Sequence, residues 1–471
     1  MLRAFAIAAG ICCSIFFVVI GLRYELQIYG DGAMFSYAAA VQDAWAFHWH
    51  NISGRLAVYL FCLAPAEAYV ALTGNAGGGI VVYGLLFFAA PLLGLIATFA
   101  ADRSKRRIIF VFACGSTAVL CPLNFGFPTE MWLAHALFWP ALAVAHYSRR
   151  GAGGIALVFV LFLALVFTHG GAVIFALTIV ATLLLRGTRD GAFVRAAGAL
   201  LVAMSIWLVV KLIFPPDDYF AGVYVGAALS FFDVAISTSG IALLLFGVMA
   251  SYGMAFLILE RLAPAKAHYY AAATVALALT AYWLRLDHAL HAENRYYMRT
   301  ALFIGTLTFG ALAAFYAQSA DGRPAVAIPF LPKFLDALAS RVTVQAIAGA
   351  LLLVMLVHAV ETAKFVSAWT KYKAAVFALA TGAASDPALG DPHFVSSARI
   401  GGDLNRLAWF STTPYLSAIV AKFTPARLVV DPRTNNYFWL SCETATANFK
   451  ADRAVPLESR RLVRIHACQH R

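Results

Sequence analysis

Charge is scarce in this sequence. Of its 471 residues only 12% are Asp, Glu, Lys or Arg, about half the share usual in globular domains, whereas 62% are hydrophobic. A water-soluble fold of this length cannot bury so much apolar side chain. Cysteine is scarce as well: there are seven, without the spacing of a zinc site or a disulfide framework. Cys12, Cys13, Cys62, Cys114 and Cys121 lie in apolar segments as small hydrophobes. Cys442 and Cys468 lie in a polar tail and can pair if that tail is extracytoplasmic. No glycine-rich phosphate loop is present. These absences exclude a soluble dinucleotide-binding enzyme and a secreted disulfide scaffold. The net charge of +12 does not indicate a nucleic-acid binder, because the basic residues cluster beside apolar runs.

What the chain does have is long apolar runs near the ~20 residues that cross a bilayer as a helix. They fall at about 3–22, 56–73, 80–101, 108–126, 131–147, 153–168, 171–185, 196–214, 233–259, 269–284, 301–317 and 343–359. The expected fold is an all-α polytopic membrane protein with about 11–12 transmembrane helices over 1–360. A small α/β extracytoplasmic C-terminal domain is expected over 374–471. There the composition turns mixed, strands are suggested by Arg427-Leu428-Val429-Val430 and Arg461 to Ile465, and Pro414 to Phe423 looks helical.

Clusters such as Arg103 to Arg107, Ser148-Arg149-Arg150 and Arg186 to Arg195 mark cytoplasmic loops. With Arg3 holding the N-terminus inside, the loop 23–54 lies outside. Within it, Ala33 to Phe47 is expected to form an amphipathic helix along the interface, with Trp45 and Trp49 at headgroup depth. One conflict of parity arises. Two apolar segments separate Asp31 from the 102–107 cluster, yet an odd number of crossings is required. The weaker segment, 56–73, contains Pro65 and Glu67 and is expected to be juxtamembrane or half-inserted.

On this topology the ionisable groups gather at the outer ends of the spans: Asp31, Arg55, Glu130, His169, and the loop Arg285 to Arg299 with Asp287, His288, His291, Glu293 and Arg295. Asp31 and Glu130 can activate a hydroxyl or hold a divalent cation. Arg295 and Arg299, one helical turn apart, can clamp a phosphate carried on a lipid. Each residue also has a plainer use. Asp31 can be a solvated residue after a span, and Glu130 a helix N-terminal charge beside the capping Thr129. His169 can cap a hairpin between two spans, and His288 and His291 can be surface residues. Arg295 and Arg299 can bind headgroups, and Lys211 can snorkel to an interface.

Several short segments resemble the C-type (GT-C) superfamily of polytopic membrane glycosyltransferases, which includes bacterial transferases using polyprenyl-phosphate-linked sugars. Tyr29-Gly30-Asp31-Gly32-Ala33-Met34-Phe35-Ser36-Tyr37 resembles its Asp-containing first-loop motif. Gly54-Arg55-Leu56-Ala57-Val58-Tyr59 resembles the basic-to-aromatic lead into the next segment. Pro128-Thr129-Glu130 resembles the second acidic motif, and Asn294-Arg295-Tyr296-Tyr297 the late Arg-Tyr element. The likeness covers roughly residues 1–300. It implies inverting transfer of a monosaccharide from a polyprenyl-phosphate donor to an envelope glycan, lipid or protein acceptor. It further implies a bacterial inner membrane location, N-terminus cytoplasmic and C-terminal domain periplasmic. Asp31 would be the general base, with Glu130 assisting or orienting the acceptor. Arg295 and Arg299 would stabilise the leaving phosphate. Arg55, His169, His288 and Tyr296 would join them as substrate-binding candidates. No metal ligand set is assigned, a divalent cation stays open as a cofactor, and membrane lipids but no nucleic acid are expected partners. A polytopic transporter or flippase, or an O-antigen polymerase or ligase, is the alternative.

Overall fold

A computed structural model of the chain describes residues 2–45, 55–120, 130–148, 151–214, 240–288, 295–322, 344–382, 393–409 and 412–430. The expected strand around Arg461 to Ile465, the cysteines Cys442 and Cys468, and Trp49 lie outside these residues. The described residues are largely helical, and seven helices are long and apolar enough to cross a membrane. They begin with α1 (Leu2–Arg23), which leads through a tight turn into the short α2 (Asp31–Ala40). Next is α3, continuous over Leu56–Thr73. It carries a π turn at Tyr59–Leu63, just before Pro65. Proline has no N–H to continue the i→i−4 ladder, and a wider turn ahead of it accommodates the loss.

The main bundle continues with α4 (Ala76–Ala101), α5 (Ile108–Leu120), α6 (Met131–Tyr147), α7 (Ala152–Val166), α8 (Ala172–Leu184) and α9 (Gly191–Ile213). It is held by close helix crossings. At Gly94 a Cβ would lie 2.5 Å from the Ala136 carbonyl oxygen, and at Gly10 it would lie 2.5 Å from that of Cys114. Such glycines let backbones touch where apolar lipid offers no hydrophobic drive. Between these crossings Phe17 packs against Phe88 and Trp132, each at 5.1 Å between ring centres. Then follow α10 (Gly240–Leu262), α11 (Ala267–Arg285), α12 (Arg295–Ala320) and α13 (Val344–Thr381). The α10–α11 hairpin builds its own small core with α13 around Val248, Tyr252, Val275, Leu279 and Val357.

The bundle has two distinct ends. At one, the Asp102 carboxylate accepts the Ser104 and Phe110 N–H groups at 2.8 and 2.9 Å. Beside it, Tyr147 donates to Asp321 at 2.6 Å, and the Lys105 N–H reaches the other oxygen of Asp321 at 3.3 Å. The ends of α4, α6 and α12 therefore meet there. At the other end lie the end of α1, the start of α6 and the start of α4, where Tyr83 is within electrostatic reach of Asp31 and Glu130.

Helix α3 packs against α2 and along the first half of α4. Arg55, ahead of its first turn, pairs with Glu130. Its last turn folds back on the start of α4, where Gly79 leaves room for Val70. The single pass of α4 then separates Asp31 from the basic stretch at 102–107, and the two lie at opposite ends of the bundle.

The long α13 has 38 residues, about 57 Å at 1.5 Å per residue, well beyond the roughly 30 Å of a bilayer core. Its second half runs past the end of α1, where the Trp369 indole N–H and the Lys373 ammonium both donate to the Tyr24 carbonyl, at 2.9 and 3.0 Å. The helix delivers a small α/β unit to the Asp31 end. Its strands β1 (Phe394–Ser396) and β2 (Leu428–Val430) pair in parallel, Phe394 opposite Leu428. A parallel pair needs a crossover, and α14 (Thr413–Val420) lies within it.

That unit accounts for a difference from expectation at α2. The helix is shorter than Ala33 to Phe47, and every residue from Gly32 to Ala40 is buried. It has no polar face to present to headgroups: its residues are mostly alanine and aromatic, and the Ser36 hydroxyl donates to the Gln27 carbonyl at 3.2 Å. Helix α14 covers it, with Tyr37 at 5.3 Å from Tyr415 and 6.2 Å from Phe423 between ring centres.

Candidate functional site

The Asp31 end gathers several groups named from the sequence. Asp31 is the first residue of α2 and lies in its first turn, where the helix dipole favours a carboxylate. The preceding Gly30 has φ 57° and ψ −134°, a conformation costly for any residue with a Cβ. This glycine turns the chain from α1 into α2 and so sets where Asp31 sits.

Glu130 stands at the start of α6 and is buried. Its carboxylate accepts a charge-assisted hydrogen bond from the Arg55 guanidinium. Behind the pair, Cys62 is completely buried within reach of Glu130. Tyr83 is almost completely buried and sits within reach of Cys62, Glu130 and Asp31 together. The π turn of α3 carries Cys62 toward this point, so the irregularity around Pro65 helps to shape the wall of the site.

Arg55 is also near the turn between α7 and α8, since the Ala57 N–H donates to the Phe167 carbonyl at 3.1 Å. His169 sits in that turn, and its Nδ1 accepts the Gly171 N–H at 3.0 Å. That is the capping use. Lys211, near the end of α9, lies within reach of Arg55 and 5.6 Å from the ring centre of Trp207.

Helix α12 begins at this same end. Arg295 is its first residue and Arg299 follows one turn later; the side chains of Arg295, Tyr296 and Arg299 lie outside the described residues. One turn further on, Phe303 stacks on Phe175 of α8 at 5.2 Å and 16°. Deeper, His135 is buried between two hydroxyls, Nδ1 at 2.8 Å from Thr306 and Nε2 at 3.2 Å from Thr117. Thr306 donates its own proton to the Leu302 carbonyl, so Nδ1 carries the histidine proton and Nε2 accepts from Thr117. This bridge ties α12 to α6 and α5 and fixes the height of Arg299 relative to Glu130.

His288 is not brought to Asp31 or Glu130 by any described contact. It is exposed at the end of α11. Its neighbour Asp287 is buried and receives Lys364 at 3.1 Å, and Lys364 also reaches Glu361 at 3.2 Å. Those contacts anchor the loop after α11 to α13.

A second acidic group lies on α3 beside the segment after α2. Glu67 of α3 accepts the Ala44 N–H at 2.7 Å and the Tyr59 hydroxyl at 3.1 Å. It thereby pins the segment that follows α2. Beside it Asp43 is buried, and its carboxyl is pushed up to about 6, first by burial and then by the charge of Glu67. Glu67 was conspicuous in the sequence as a charge within an apolar run; its partner Asp43 and the buried Gln27, Cys62 and Tyr83 carried no such signal.

Among the described residues no three His, Cys, Asp or Glu side chains are placed to hold a metal ion. The arrangement offers one partly exposed carboxylate at a helix start, a fixed ion pair opposite it, and the start of an arginine-bearing helix nearby. Compared with known proteins, the chain matches no family model and no curated sequence.

Proposed function

We propose that the protein is a membrane glycosyltransferase of the C-type kind, moving a monosaccharide from a polyprenyl-phosphate carrier to an envelope glycan, lipid or protein. The acceptor hydroxyl attacks the anomeric carbon while the bond from that carbon to the lipid phosphate breaks. The bonding electrons leave with the phosphate, and Asp31 takes the hydroxyl proton. Arg295 and Arg299 stabilise the charge that grows on the departing phosphate. Glu130 acts through Arg55, holding the guanidinium at the wall of the site, and Tyr296 and His169 line the substrate path. In this reading the Asp31 end faces the periplasm of a bacterial inner membrane. Helices α5, α6, α7, α8 and α11 join the seven long apolar ones to complete about 11–12 crossings.

The observation that carries the reading is the gathering of Asp31, Tyr83, Arg55 and Glu130 at the end where α12 begins. Reacting groups held this way replace a bimolecular encounter by a positioned one. The test is mass spectrometry of envelope glycans from cells with the protein, without it, and with Asp31→Asn. The expected result is one glycan substituent lost in the deletion and in Asp31→Asn while the variant inserts at normal levels. A full complement of that substituent with Asp31→Asn removes the base assignment, and unchanged glycans in the deletion remove the reading itself.

A further inference from the structure

Behind Asp31 lies a polar wall that the proposed chemistry leaves without a task. Gln27 is in the turn between α1 and α2, 2% exposed, and its Oε1 has no hydrogen-bond partner. A buried amide oxygen left in that state is costly and calls for an explanation. Its side chain lies flat against α4 at Gly84, where a Cβ would meet Gln27 Cγ and Cδ at 2.9 Å. The glycine makes space for the amide. The residue before it is Tyr83, almost fully buried and within reach of Asp31 and Glu130. One turn of α4 therefore carries a phenol near the candidate base and, at the next residue, seats the Gln27 carboxamide. A phenol hydroxyl can donate and accept, and the amide oxygen can only accept. That complement suits a ligand bearing several hydroxyl groups.

We propose that Gln27 and Tyr83 form a subsite that binds the hydroxyl groups of a sugar ring, with Gln27 Oε1 accepting from one hydroxyl and Tyr83 bonding to another. This rests on the lipid-linked sugar reading and adds to it the residues that select the sugar. The subsite can serve the sugar of the donor or that of the acceptor, since the chemistry of recognition is the same.

The test uses full-length protein in nanodiscs, as wild type, Tyr83→Phe and Gln27→Leu, with binding measured calorimetrically. The probes are citronellyl phosphate, its phosphodiesters with glucose, mannose, galactose and arabinose, and the matching methyl glycosides. Wild type is expected to bind at least one phosphosugar about tenfold more tightly than citronellyl phosphate, the advantage of a satisfied buried polar group. Both variants should lose that advantage and keep their affinity for citronellyl phosphate. Loss confined to a methyl glycoside places the subsite on the acceptor side instead. Variants that retain wild-type preference for both classes overturn the subsite and leave the enzymatic reading standing. A wild type that binds no probe overturns both. Without ligand, Gln27→Leu should melt no lower than wild type, because it removes an unsatisfied acceptor; a clear drop would make Gln27 structural and end the proposal.

Discussion

Substituting Arg55 by leucine removes the guanidinium from a carboxylate that has almost no access to solvent. The Glu130 side chain is 5% exposed and that of Arg55 18%, so neither is well hydrated in the folded protein. Breaking a buried pair from one side costs about 3–5 kcal/mol, because the remaining charge stays buried without its partner. Arg55→Leu and Glu130→Leu should each therefore lower stability by about 3 kcal/mol at the low end of that range. Their double variant leaves no orphaned charge and should lose clearly less than either alone, a coupling of more than roughly 3 kcal/mol. The assay is reversible unfolding of the four proteins in one detergent, followed by tryptophan fluorescence. Additive losses, with the double variant near 6 kcal/mol by simple addition of roughly independent effects, would mean that the two residues do not act as a pair. The idea that Glu130 works through Arg55 would then fall as well.

Three further outcomes follow from the packing and the electrostatics. Gly94→Ala should cost about 1–3 kcal/mol by pushing α4 off α6, whereas Gly198→Ala, where an added Cβ meets nothing within 4 Å, should be neutral or stabilising. Equal melting temperatures for the two would contradict the close crossing. His135→Leu should cost about 1–3 kcal/mol by stranding the Thr117 hydroxyl; unchanged unfolding would show that the bridge contributes nothing. In the fold the Asp43 carboxyl is pushed up to about 6 from the ordinary carboxylate range, by burial and then by the charge of Glu67. The folded state thus holds the proton more tightly, and this stabilisation is complete below about pH 4 and lost as pH rises through about 6. Wild type should lose more stability than Asp43→Asn between those values, and parallel pH profiles would refute the shift.

Much of the bundle was legible because a bilayer demands long apolar segments and little else in the sequence can produce them. The runs that became α1 and α4 declare themselves by length alone. Segment 56–73 carries a proline and a glutamate that argue against a simple crossing, yet it forms one continuous helix, α3, long and apolar enough to span. The details of the site were less legible. Arg55 and Glu130 are 75 positions apart, and nothing in either neighbourhood names the other. The burial of α2 depends on Tyr415 and Phe423, whose contribution is visible only once the chain has folded back on itself. Its run of alanines satisfied the helical expectation while giving no sign that all sides would be covered. Gln27 was unreadable for a different reason: its significance lies in a missing partner, which only packing can reveal.

The contact between Trp369 and Tyr24 joins positions 345 residues apart, and this bears on biogenesis. A ribosome adding roughly 5–20 residues per second needs about twenty seconds to a minute to make the chain between them. Throughout that interval the segment bearing Asp31 has been synthesised but lacks both the buttress of α13 and the cover of α14. A nascent chain stalled after α12 would carry α2 without the packing of Tyr415 and Phe423 that buries it in the finished fold. The Asp31 segment is thus among the first to emerge and among the last to be locked in place.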